Sequence, residues 1–134
     1  MDPERALQAA ILARLRETAA LKAWLGEIVR AWDQPPDDPI LPYVAIARAA
    51  SAPLRGEGGG TEHRITLTCL SDYRGAEEAK AVTGLVRQAL DEAPLTLEGH
   101  RLVLLRVTYS DVFRATDFRT TFGVLRLRAV TEPS

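Results

Sequence analysis

Gly56, Gly58, Gly59 and Gly60 crowd one loop, and the alternating run TEHRITLTCLS comes directly after it. Glycine-rich loops can cradle phosphate, but the chemistry demands G-x-x-x-x-G-K-[ST] or G-x-G-x-x-G opening a helix. Only then do backbone N–H donors and the helix dipole converge on the anion. Neither spacing occurs here, and the residues after the glycines alternate as a strand does. The loop reads as a connection between strands that provides reach and binds no phosphate.

The other reactive side chains fare no better. A catalytic histidine needs an orienting partner and a nucleophile, and a zinc site needs two or three further ligands. His63 stands beside Glu62 and His100 follows Gly99. Neither belongs to an H-x-x-x-H pattern, so both read as exposed or locally bonded histidines. Cys69 is the single cysteine, which excludes an internal disulfide and any multi-cysteine zinc site. It falls on the apolar side of its strand and reads as a small buried hydrophobe. Among the carboxylate pairs, Glu77–Glu78 suits a helix start, Asp91–Glu92 the exposed end of the same helix, and Asp37–Asp38 a loop between prolines. All three read as solvated charge. The expectation is therefore no catalytic residue, no metal, no cofactor and no enzyme.

One patterned feature remains. Arg64, Arg106, Arg126 and Arg128 fall on the polar side of alternating strands, opposite the apolar face. If those strands are neighbours, one sheet face carries several guanidinium groups, either solvated beside acidic partners or set against another subunit. Arg55, Glu57, Asp37 and Asp38, in the two long loops, complete the candidate interface residues.

The elements that must position these groups are read from periodicity. Asp2 can cap a helix whose first position is Pro3, and Leu7, Ala10, Ile11 and Leu15 recur at helical spacing. Leu21, Trp24, Leu25 and Ile28 predict a further turn or two after a break near Thr18, ending at Gly26. Residues 27–32 could pair as a short strand. Four prolines in residues 33–42 make an extended connection. A strand runs from Tyr43 to about Ala49, with Tyr43, Ala45 and Ala47 alternating against Val44, Ile46 and Arg48. Residues 51–62 read as a second flexible loop, and the strand after it turns Ile65, Leu67 and Cys69 to one side. Residues 75–91 carry a helical stripe of Ala79, Val82, Val86, Ala89 and Leu90. Two long strands close the chain. In the first, Val103, Leu105, Val107 and Tyr109 alternate with Leu102, Leu104, Arg106 and Thr108; the second spans residues 120–130. The class is α+β, with two helices packed on a mainly antiparallel sheet.

The totals agree. A chain of 134 residues forms one domain and can bury a core without a disulfide or a metal. A formal net charge of −1 argues against an electrostatic grip on nucleic acid. The start, MDPERALQAA, has no signal-like apolar core, and no stretch is long and apolar enough to span a bilayer, so a cytoplasmic protein is expected.

Over nearly its full length the sequence resembles the small tail-completion or tail-terminator proteins of long-tailed phages and gene transfer agents. The stretches that carry the resemblance are ALQAAILARLRE, ALKAWLG, PPDDPILPYVAI, GTEHRITLTCLSDYRGAEEAKAV, APLTLEGHRLVLLRV and TTFGVLRLRAVTEP. The resemblance implies a non-enzymatic particle protein, assembled in the cytoplasm, forming a ring of six at the head-proximal end of the tail tube. Its partners would be further copies of itself, the tail tube protein and a head–tail connector or stopper. DNA would pass through the lumen without specific binding. It also implies that the loops at 33–42 and 51–62 are ordered by neighbouring subunits. A stopper or adaptor ring of a neighbouring layer is the near alternative. A small enzyme using His63, Asp111 and Asp117, or a nucleic-acid module using the arginines, are the alternatives of other classes.

Overall fold

The computed structural model describes residues 1–56, 58–72, 76–117 and 119–134. Helix α1 (Pro3–Glu17) starts as its first residues dictate, with the Asp2 carboxylate accepting the Arg5 N–H at 2.9 Å. A break at Thr18 separates it from a second helix, α2 (Ala19–Leu25), which ends at Gly26, where a φ of 94° suits glycine. Strands β1 (Ala31–Trp32), β2 (Tyr43–Pro53) and β3 (Thr61–Ser71) come next. Helix α3 (Glu77–Leu90) and strands β4 (His100–Arg114) and β5 (Thr121–Pro133) complete the chain. The helix start expected at residue 75 lies outside the described residues.

The strands form one sheet in the order β1-β2-β3-β5-β4, antiparallel throughout except where β1 pairs with β2. The class is the expected α+β. The turn or two expected after Thr18 is the seven-residue helix α2, so the described residues form three helices rather than two. Of residues 27–32, only the last two pair as strand; residues 26–29 form a turn. The loop expected at 51–62 is also shorter. Ser51, Ala52 and Pro53 pair with His63, Glu62 and Thr61, so the connection proper is residues 54–60. The ladder continues until glycines turn the chain, and Pro53 is tolerated because it ends the strand.

Alternation assigns the two faces. Ile65 lies opposite Leu127 and Leu67 opposite Leu125, and all four are buried beneath the helices. Leu7, Ile11 and Leu15 of α1, Leu21 and Leu25 of α2, and Val82, Val86 and Leu90 of α3 close this core from the other side. Burying each such side chain contributes about 1.5–3 kcal/mol before conformational entropy is counted. Two arginines pin the helix layer: Arg16 donates to the Ala31 carbonyl at 2.8 and 3.2 Å, and Arg14 donates to that of Ala89 at 3.0 Å.

Slips in register change which side chains reach the open face. Between Ile46 and Arg48 the pairing with β3 shifts by one residue, so Arg48 sits opposite Thr66, on the outer face. Simple alternation had put it beside Val44 and Ile46. A similar shift between Val107 and Tyr109 turns Tyr109 outward, opposite Arg126, although alternation grouped it with Leu105 and Val107. A third, between Leu102 and Leu104, leaves Val103 half exposed. An extra residue in one strand reverses the parity of everything after it.

Helix α3 packs closely on the sheet at Gly123. A Cβ built there would overlap Thr83 Oγ1 and lie 3.4 Å from Cys69 Cβ. The Thr83 hydroxyl is itself buried with no hydrogen-bond partner among the described residues. Gly123→Ala is therefore expected to destabilise the fold by roughly 1–3 kcal/mol through overpacking. Thr83→Ala should cost less than a usual buried truncation, because it removes an unpaired hydroxyl. In urea denaturation the double variant should then be more stable than the sum of the single effects predicts; strict additivity would contradict this packing.

Candidate functional site

Among the described residues no helix covers the outer face of the sheet. Across β3, β5 and β4 the register aligns Arg64, Arg128 and Arg106 in a single row. The adjacent row holds Arg48, Thr66, Arg126 and Tyr109. The four arginines singled out in the sequence are thus neighbours. Arg48 and Tyr109 join them, and local periodicity missed both because of the register slips.

Like charges placed opposite one another repel, so such a row needs counter-charge. Glu62 supplies part of it. Its carboxylate lies 2.8 Å from Arg128 and 3.3 Å from Arg64. The hydrogen bond from Arg128 is the main cause that holds the Glu62 carboxyl below its ordinary range, with the charges of Arg128 and Arg64 adding to it. Arg101 pairs with Glu132 near the end of the same face. Arg126 lies 4.8 Å over the Tyr109 ring, a cation–π contact, and the Tyr109 hydroxyl donates to Asp111 at 3.2 Å. Arg48, Arg106 and Arg126 are exposed and have no carboxylate within ion-pair distance among the described residues. Beyond them Phe113 and Phe122 stack with ring centroids 5.7 Å apart, Phe113 being 45% exposed. Chemically this surface can hold carboxylates or phosphates with its guanidinium groups and apolar side chains with its aromatic end.

The remaining candidates are scattered. Arg55 is exposed in the loop at residues 54–60, and Glu57 lies outside the described residues. Asp37 and Asp38 are exposed in the proline-rich segment beside β1, where Asp38 adopts a φ of 50°.

His63 differs from its expected exposed or locally bonded setting. It is 2% exposed, on the helix side of the sheet, and its Nε2 lies 2.9 Å from Thr131 Oγ1 on the neighbouring strand. Strand parity with Ile65 carried that signal; residue polarity hid it. His100, by contrast, meets the Met1 carbonyl at 2.9 Å.

Asp111 points from the opposite face to His63, and Asp117 is spent on its own turn, accepting the N–H groups of Arg119 and Thr120 at 2.9 and 3.1 Å. Those backbone bonds hold its carboxyl below the usual range. The three residues weighed for an enzyme therefore do not converge. Burial pushes the Cys69 thiol up to about 12, so no thiolate forms at neutral pH. Among the described residues no cluster of histidine, cysteine and carboxylate groups could hold a metal ion. An open trough of about 710 Å³ lies between the 92–97 segment and β4, with Leu95, Leu97, Leu102 and Leu104 among the residues lining it.

Burial is the main cause that lowers the pKa of His63 below 6.5. The unfolded chain therefore binds more protons than the folded one below that value, and stability falls as pH drops through 6.5 towards the folded pKa. The contribution of Glu62, whose folded pKa is depressed, is lost lower, as pH falls below 4.5. Denaturant midpoints measured across pH 6.5 should decline on acidification, and His63→Gln should flatten that slope. An unchanged slope would show that His63 is not the titrating group.

Comparison with known proteins gives the family of the chain. The family described as Tail completion protein gp17 matches residues 9–132. The tail completion protein gp17 of Bacillus phage SPP1 is 28% identical over 126 residues, spanning 92% of this chain and 90% of the relative. A chain from the virion of a native gene transfer agent particle superposes with a TM-score of 0.87 at 31% identity, covering 96% of both chains. Among the described residues no helix is long and apolar enough to cross a membrane. This chain belongs to the tail completion protein gp17 family, and is a structural protein of a phage or gene transfer agent particle rather than an enzyme.

Proposed function

We propose that the protein forms a closed ring at the head-proximal end of the tail tube, where it ends tube growth and joins the tail to the head. The observation that carries this reading is the near full-length likeness to a chain of an assembled gene transfer agent particle. The surface supports it: a subunit of a closed ring needs two different patches that recognise each other, and this sheet offers an open face of arginines and aromatic rings. In this account copies of the chain contact one another, the tail tube protein on one side and a head–tail connector or stopper on the other. The DNA crosses the lumen without being gripped, in keeping with a net charge of −1. Assembly takes place in the cytoplasm, and the protein then stays in the particle.

Deleting the gene in a producing host tests this directly. Electron micrographs should show overlong tubes, or tails detached from DNA-filled heads. Normal joined particles would contradict the role, and tubes of normal length with unjoined heads would assign the protein to a connector layer instead.

A further inference from the structure

Arg48, Arg106 and Arg126 stand on the open face without carboxylate partners among the described residues, while one short segment elsewhere on the same molecule gathers three exposed carboxylates. Asp33, Asp37 and Asp38 are exposed in the proline-rich segment after β1, at the opposite edge of the sheet from β4. None of them forms an ion pair within its own chain among the described residues. The apolar character of the two patches also matches. Ile28 and Ile40, which flank β1 and the acidic segment in sequence, are 90% and 68% exposed. The arginine face carries Tyr109 and Phe113, at 44% and 45% exposure.

We infer that the acidic, proline-rich segment of one copy docks on the arginine face of the next, Asp37 and Asp38 meeting the guanidinium groups of Arg106 and Arg126. This inference rests on the ring reading above. Two complementary patches at different places on one subunit make a heterologous, head-to-tail contact, the kind that closes into a ring. The prolines of the segment restrict its backbone, so less conformational freedom is lost on docking than a free loop would lose. Glu62 already engages Arg128 and Arg64, so the incoming carboxylates meet Arg106, Arg126 and Arg48.

Charge exchange in particle production tests it. A host lacking the gene is supplied with the wild-type chain, with Asp37→Arg plus Asp38→Arg, with Arg106→Glu plus Arg126→Glu, or with all four changes. Each paired reversal is expected to lower the yield of joined, tailed particles about tenfold or more, and the fourfold variant to recover most of it. All of these positions are exposed, so circular dichroism of the purified variants should show an intact fold. A second readout is direct: particles carrying Asp37→Cys with Arg126→Cys should give covalent multimers of the chain on mild oxidation.

Several results would overturn the inference. If both reversals support normal yields, or if neither is rescued by the other and no covalent multimers form, the docking is wrong while the ring reading stands. If the host lacking the gene makes normal particles, both fall. If the isolated wild-type chain retains a short DNA duplex and Arg106→Glu with Arg126→Glu abolishes this, with no charge rescue in particles, the face serves nucleic acid instead.

Discussion

The helices of this protein cover one face of a five-stranded sheet, and the packing of Ile65 and Leu67 on β3 against Leu125 and Leu127 on β5 determines which face that is. Strand side chains alternate, so committing these four to the core commits Arg64, Thr66, Arg126 and Arg128 to the other side. No independent choice places the arginines there. A one-residue slip between β3 and β5 would bury Arg126 and Arg128 and expose Leu125 and Leu127, a change far too costly to be populated. The core thus holds the candidate interface in place.

That interface is costly to leave bare. Three arginines in one cross-strand row repel one another, and Glu62 relieves Arg64 and Arg128 but has no reach left for Arg106. A protein could remove such a strain by placing acids on neighbouring strands. Here Glu62, Glu132 and Asp111 are acids on that face. Threonine, valine and aromatic residues, including Thr66, Thr68, Val124 and Phe122, occupy other positions around Arg126 and leave Arg48, Arg106 and Arg126 without an ion pair among the described residues. Surface ion pairs add little to stability, so the pattern is better accounted for by association than by folding.

The helices and the period-two strands were legible because their signals are local: the Asp2–Pro3 start, the stripe on α3, and the alternation through Ile65, Leu67 and Cys69. Three things were hidden. The adjacency of Arg64, Arg128 and Arg106 depends on β5 inserting between β3 and β4, a long-range choice that no local period records. The outward turn of Arg48 and Tyr109 depends on register slips, which reverse parity without a distinctive residue to announce them. His63 was misplaced for the opposite reason. Its parity pointed inward, but a histidine next to Glu62 looked like surface, and its partner Thr131 lies 68 residues away.

Family membership makes this chain a particle component; a role of the open sheet face in assembly is the proposal to be tested. A reconstruction of the head–tail junction of particles containing this protein, at a resolution that traces the chain, tests that most directly. The account predicts a closed ring at the head-proximal end of the tube, with Arg106 and Arg126 of each copy covered by the segment containing Asp37 and Asp38 of its neighbour. The chain found elsewhere in the particle, or a ring with that face open to solvent, would contradict it.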